Sequence, residues 1–434
     1  MNQRTRLLIS TGFLAATYFI SNVFSTVSAQ AERVQQSRQL YNQAIEAYKK
    51  KDYPASLEKM QEALRLRPNH PGMTYDFACI NAQAGNHDAA LKLLRQIADM
   101  GISFNAAEDP DFSPLKNSTE FQAIAKKLEA NRAPIVNGKP VFILPRRDLL
   151  TEGVAYDPIT DTFFVGSVHL RKVVAVKDGQ PADFTARADE LWGVFGIQVE
   201  AERRRLWVCT SALPQMTGFS KEMAGRAAVV QYNLSNSKLE KKYTPPDSSA
   251  HLFGDLIIHS SGDVFVSDSQ SGGIYRIPHK SGEMELFIAP GPFASLQGLA
   301  FSNDGKWLFA ADYSQGIFRI EMGTKSIIEV SPPPNVTLLG IDGLYFHKGN
   351  LIAIQNGVNP HRVVRFWLND ELSQIDRAEI LDANHPDFDE PTLGVIVDDT
   401  FFYVARSQWG KFDEEGKIKS LEELKEPVIL KTAL

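Results

Sequence analysis

Hydrophobic and polar residues follow two rhythms along this chain. From Arg33 to Gly101 the apolar positions recur at the three- and four-residue intervals of an amphipathic helix. Beyond Gly138 they alternate instead, in short runs closed by small or polar residues, as half-buried strands do. The change of period predicts a helical unit over residues 33–130 and a strand-rich unit over 139–434, with a Pro-containing linker between them. A length of 434 residues also suits two cores better than one.

The helical unit repeats itself. "DYPASLEKMQEAL" from Asp52 aligns with "NHDAALKLLRQIA" from Asn86, which places Ala55 on Ala89, Leu57 on Leu91 and Met60 on Leu94. The same shift of about 34 residues carries Tyr41 and Ala44 onto Tyr75 and Ala78. Small residues where helices cross and larger ones between them predict paired helices, with the Ala55/Ala89 position as one such crossing. A last segment, "DPDFSPLKNSTEFQAIAKKLE", reads as a loop and a closing helix.

The strand-rich unit also repeats. Six runs share one shape, an apolar strand with a small or polar exit: "FFVGSV" at 163, "LWVCTS" at 206, "VFVSDS" at 264, "WLFAADY" at 307, "LIAIQNG" at 351 and "FFYVARS" at 401. Each follows another short strand across a turn. Spread over the rest of the chain, each copy takes about 49 residues, within the propeller range of roughly 40–50. A four-stranded sheet with two bare edges is unstable alone, and radial packing protects those edges. The prediction is therefore a six-bladed β-propeller, with "KPVFILPRR" from Lys139 as an extra strand that completes the last blade and closes the ring.

In such a ring the heads of the innermost strands and the exits of the second strands meet at one mouth. The heads are Glu152, Asp255, Gln297 and Asp342, and the exits include His169, Ser211, Ser269, Tyr313, Asn356, Asn359 and Gln408. Carboxylates converging on one axis repel each other unless a cation sits among them, and oxygen donors suit a hard ion such as Ca²⁺. Gln297 then offers an amide oxygen. His169, His251 and His361 are alternative bases, and the acidic "HPDFDEP" at 385 reads as a solvated turn.

Charge and the N-terminus narrow the function classes. Arg4 and Arg6 precede an apolar run from Leu7 to Phe24, and Val27-Ser28-Ala29 supplies the small residues of a cleavage site, so residues 1–29 read as a secretory signal. The expectation is a periplasmic or secreted protein with no membrane span after cleavage. The formal net charge of −6 becomes more negative once those arginines are removed, which argues against nucleic acid as partner. Cys79 and Cys209 each stand in an apolar segment of a different unit, so no disulfide framework is expected. The chain lacks a Gly-x-Ser-x-Gly elbow, His-Glu-x-x-His, Cys-x-x-Cys and a phosphate-binding glycine loop.

Two resemblances follow from these motifs. With Pro68 ending its second helix, the helical unit resembles the tetratricopeptide repeat family over about two repeats, which implies docking of a partner protein. From about Leu150 to Lys417 the chain resembles the superfamily of senescence marker protein (regucalcin) and the gluconolactonases. Glu152-Gly153 matches that family's first metal ligand and Asp342-Gly343 its late aspartate. The family's Asn-Asp pair appears here as Gly254-Asp255 and its Asn-Gly pair as Gln297-Gly298. The resemblance implies a divalent cation, Ca²⁺ first, held by Glu152, Gln297 and Asp342. It also implies hydrolysis of a lactone or ester, with Asp342 and Glu152 as catalytic carboxylates and Asp255, His169, Asn356, Asn359 and Gln408 facing the substrate. The alternative is a non-catalytic propeller that binds a ligand or protein in an envelope assembly.

Overall fold

The computed structural model describes residues 32–434, so the expected signal segment lies outside the described residues. Helices come first: α1 (residues 32–49), α2 (Tyr53–Leu66), α3 (Pro71–Gln83), α4 (His87–Asp99) and, after a 3-10 turn at Pro110–Leu115, α5 (Thr119–Ala130). Their ends follow from local chemistry. The Asp52 side chain accepts the Ala55 N–H at the start of α2, where Pro54 sits in the first turn and needs no amide partner. His70 Nδ1 accepts the Met73 N–H at the start of α3, and Ser118 Oγ does the same for Phe121 in α5. Burial repeats with the sequence: Ala44 and Ala78, Met60 and Leu94, and Ala63 and Ile97 are all enclosed.

One expectation in this unit is corrected. Ala89 is exposed and Ala55 only half-buried, whereas the next residues, Ser56 and Ala90, are fully enclosed. One step along a helix turns a side chain by about 100°, so choosing the wrong member of each adjacent small pair moved the crossing onto the outer face. Ser56 Oγ donates to the Ala44 carbonyl at 2.8 Å, a contact a bulkier side chain would break. Ala90→Leu should therefore destabilise the helical unit by about 1–3 kcal/mol through overpacking, while Ala89→Leu should be close to neutral. Thermal unfolding of the two variants checks this.

The remaining chain forms six four-stranded antiparallel sheets. In the first five blades four consecutive strands run outward, the innermost being Thr151–Asp157, Gly193–Glu200, Phe253–Ile258, Leu296–Phe301 and Ile341–His347. The six apolar runs read from the sequence are the second strands of their blades. Blade six takes Gly394–Val397, Thr400–Val404 and Val428–Ala433, and its outer edge is covered by Lys139–Ile143, paired antiparallel to Val428–Ala433. Residues from before the first blade thus finish the last one and close the ring. Both cysteines are free and buried.

The inner strands of blades one to five each carry a register shift at their head, between Thr151 and Val154, Val194 and Ile197, Phe253 and Asp255, Leu296 and Leu299, and Ile341 and Leu344. Glycines at these bulges let neighbouring blades touch. A Cβ on Gly153 would lie 2.5 Å from the Phe195 carbonyl, and one on Gly298 would lie 2.4 Å from the Leu344 nitrogen. A polar residue followed by glycine is thus a structural unit here: the glycine packs against the next blade and the polar residue tops the bulge.

The helical layer sits on the propeller's rim. Ser103 N–H donates to the Asn359 carbonyl at 2.8 Å, and the buried Arg362 reaches the Met100 carbonyl at 2.7 Å. Asn69 donates to the carbonyls of Pro333 and Val336, and Asn384 to that of Arg132. Val358 of the fifth blade packs on the apolar core of α3, α4 and α5. Since buried amide and guanidinium partners are costly to strip, these contacts fix how the layer is placed.

Candidate active site

Each blade sends one residue to the mouth. Glu152, Phe195, Asp255, Gln297 and Asp342 come from the heads of the first five inner strands, and Glu390 from the segment just before the sixth. They line a cavity of about 390 Å³ together with Tyr313, Asn356 and Trp409, and no Lys, Arg or His is among its walls.

The carboxyl groups are held by few donors. Trp409 Nε1 donates to Glu152 Oε2 at 2.8 Å, and Asn356 Nδ2 to Asp342 Oδ2 at 2.7 Å. Tyr313 OH donates to Asn356 Oδ1 at 3.1 Å, which orients that amide. Asp255 Oδ2 accepts the Leu299 N–H at 3.3 Å. Gln297 gives its Nε2 to Ser295 Oγ, which leaves Oε1 as an acceptor over Gly254, where the missing side chain makes room. The backbone of Glu152 is pinned too, its carbonyl accepting Thr392 Oγ1 at 2.8 Å and the Leu393 N–H at 3.2 Å across the blade boundary.

Burial and mutual repulsion decide the charge of this group. Desolvation pushes Asp255 up to about 7 and Asp342 to about 6, in the latter case against the pull of Asn356. Glu390 rises to about 7 through burial and then the charge of Asp342, and Glu152 is raised well above its ordinary value by burial and then by Asp342. Tyr313 goes to about 12, so its hydroxyl remains a donor. Four desolvated carboxyl groups, Glu152 buried and the other three half-buried, have no cationic partner among the walls and so keep protons, or a cation, or both.

The donor set fits a hard divalent ion. Glu152, Asp342 and the free amide oxygen of Gln297 face one space, with Asp255 and Glu390 beside it. Among the described residues, three Asp, Glu, His or Cys ligand atoms come within 4.8 Å of one another only at Cys79, Asp109 and Asp111, in the helical layer. There Tyr75 OH already occupies Asp109 and burial holds the thiol protonated, so that cluster does not suit a cation. In the mouth no three such oxygens come that close, so a cation there would need the Gln297 amide oxygen and waters to complete its shell of about 6–8 oxygens.

The structure brings together Glu152, Asp255, Gln297, Asp342, Asn356, Ser269 and Tyr313, as the strand-order argument expects. Asn359 instead lines a larger neighbouring cavity beneath the helices. His169 lies outside the mouth, its Nδ1 2.5 Å from the Gln215 carbonyl and its ring against Phe412. Gln408 is tied on both ends of its amide to the backbone of Lys425, and Ser211 is bonded to the backbone of Phe253. His251 is enclosed between Asp247 and Asp268, and burial lowers His361. "HPDFDEP" is corrected: its glutamate, Glu390, is a wall of the mouth and not part of a solvated turn. Its place just ahead of an inner strand is the signal that could have found it. Phe195 carries the same positional signal, at the head of the second inner strand and followed by Gly196, while Trp409 carries none.

No protein-family profile matches the chain, and no curated protein matches it. Solved structures similar to it include a gluconolactonase from Xanthomonas campestris (13% identity, 70% of this chain and 100% of that one, TM-score 0.44). Another is a calcium-binding protein, regucalcin, from Agrobacterium tumefaciens (14%, 65% and 90%, TM-score 0.44). A third is virginiamycin B lyase from Staphylococcus aureus (14%, 68% and 99%, TM-score 0.44). The structural neighbours thus include propellers of the gluconolactonase and regucalcin type, and the likeness is one of fold.

Proposed function

We propose that the propeller mouth is the active site of a metal-assisted lactone or ester hydrolase. The observation that carries this reading is the ring of four carboxyl groups, Glu152 buried and the other three half-buried, and one free amide oxygen around a cavity with no basic side chain. A divalent cation bound by Glu152, Gln297 and Asp342 would supply Lewis acidity toward a carbonyl oxygen.

The chain's own residues account for the proton movements. Asn356 occupies Asp342 Oδ2, so Oδ1 is the oxygen left to take a proton from water as that water adds to the carbonyl carbon. The bond to the leaving oxygen then breaks, and the alkoxide needs a proton. Asp255 and Glu390, both raised to about 7, are partly protonated at neutral pH and line the same cavity from opposite blades. Solvent restores both groups after turnover. Trp409 fixes Glu152 with its indole N–H, and with Phe195 it walls the cavity on the side facing blade two. Export to the periplasm or outside the cell, expected from residues 1–29, belongs to the same proposal.

Elemental analysis of purified protein joined to a panel of lactones and aryl esters tests the reading. The expected result is one bound divalent ion per chain and turnover that a chelator abolishes and Ca²⁺ restores. A metal-free protein, inert across the panel and indifferent to Glu152→Gln, would leave a binding propeller as the better account.

A further inference from the structure

A cavity of about 1000 Å³ lies between the helical layer and the propeller rim. It shares Tyr313 and Asn356 with the mouth, so the two spaces adjoin through the pair that orients Asp342. Their charges are opposite. Where the mouth has only acids, the upper cavity is lined by Arg38, Arg67 and Arg132, with Asp76 as its one acid.

These cations are poorly matched from within. Among the described residues Arg38 makes no ion pair or hydrogen bond, although it stands on α1 facing the cavity. Arg67 gives one nitrogen to the Ser314 carbonyl, makes no ion pair, and keeps a buried Nε without a partner. Its pKa is drawn down to about 10 by burial and then by the positive charge of Arg38, against the pull of the Asp312 carboxylate. Arg132 is already bonded to Ser103 and near Glu129. Asp76 makes no ion pair with either arginine, its Oδ2 accepting Tyr41 OH at 2.7 Å instead. His70 is kept neutral, pushed down to about 4 by burial and then by Arg67, and its Nδ1 is spent on the Met73 N–H.

We propose that Arg38 and Arg67 form a binding site for the anionic end of the substrate, so that the molecule hydrolysed is a lactone or ester bearing a carboxylate away from its scissile carbonyl. Two guanidinium groups with open donors on one wall suit an oxyanion, which each can meet with paired N–H groups. A monoanion suits the cleft better than a dianion, because Asp76 and the mouth's four carboxyl groups stand close by. Of the two cavities, basic side chains line only the upper one, so together they orient the substrate, carbonyl toward Asp342 and anion toward Arg38 and Arg67. The helical layer is on this account a wall of the active-site cleft that decides specificity. The carbonyl half of the argument rests on the hydrolase reading, and the anion half rests on the arginines alone.

The test compares monophenyl esters of glutarate, adipate and pimelate with phenyl pentanoate, hexanoate and heptanoate, which differ only in the terminal carboxylate. At the best spacer length the anionic ester should show at least about a tenfold higher kcat/KM than its neutral partner. Arg38→Glu, a change at an exposed position, should cut that ratio at least about tenfold with little change in melting temperature, and Arg38→Lys should keep part of it. A ratio near one at every length, or one unmoved by Arg38→Glu, overturns the inference and leaves the hydrolase reading standing. If no ester is turned over, calorimetric titration with glutarate, adipate and pimelate decides. Binding weakened at least about tenfold by Arg38→Glu would sustain the anion site while the hydrolase reading fails, and no binding of any of them would overturn it.

Discussion

Asp342→Asn should lower kcat/KM for any ester the protein hydrolyses by about 10²–10⁴-fold, the usual effect of removing a positioned general base. The substitution keeps the shape and the Asn356 contact site but removes the only mouth carboxyl group with one oxygen fixed by a side-chain amide. It should not unfold the protein. Asp342 is a half-buried acid whose desolvation is unfavourable and whose charge raises Glu152 and Glu390, so the amide relieves both. A steep loss of activity with an equal or higher melting temperature in chelator is the expected pair of readings. A parallel loss of activity and stability would point to a structural part for Asp342.

The second large effect is on stability against pH. Asp255, Asp342 and Glu390 have folded-state pKa values near 7, 6 and 7, above the unfolded carboxyl range of about 4. Between those limits the folded chain holds more protons than the unfolded one, so stability falls as pH rises. In chelator the protein should be most stable at about pH 4 and below as far as these groups are concerned. It should lose on the order of several kcal/mol by pH 8, less than the separate shifts suggest because the groups are coupled. Ca²⁺ should reverse most of the loss at pH 8 and little of it at pH 5, where the carboxyl groups keep their protons. Denaturant titrations at the two pH values, with and without Ca²⁺, read this directly. A flat profile in chelator would mean that the mouth's acids are solvated and the burial argument is wrong.

The architecture was legible because it is written in period and repetition. Six runs with the same exit, and a strand-forming segment ahead of the first, are enough to specify blades and closure, since alternation and repeat length survive one residue of uncertainty. The helix crossings were less legible for the opposite reason: at Ala55-Ser56 and Ala89-Ala90 two small residues stand side by side, and one step changes the face. In the mouth, Glu152, Asp255, Gln297 and Asp342 could be found because strand order alone brings strand heads to the axis. Glu390 obeys the same rule, but prolines on both sides of its segment gave it the look of a turn. Trp409 and the arginines of α1 and α2 reach their places through loop paths and domain packing, which no local pattern encodes. Export and any protein docked on the helices rest on the sequence reading.

Closing the ring with Lys139–Ile143 has a kinetic consequence. The strand that seals blade six is made before blade one, and its partner, Val428–Ala433, only after the other five blades. Until both are present, blade six lacks its two outer strands and exposes an unpaired edge, and the pairing that removes it spans nearly the whole propeller. Contacts this distant in sequence make for high contact order and slow folding, with the closing encounter as the late step. Arg362 and Asn384, which hold the helical layer, belong to blade five and the segment after it, so the layer too has nothing to settle on until most of the chain exists. The two cavities, one under the helices and one on the axis, are therefore assembled together at the end of folding, and a partly folded chain owns neither.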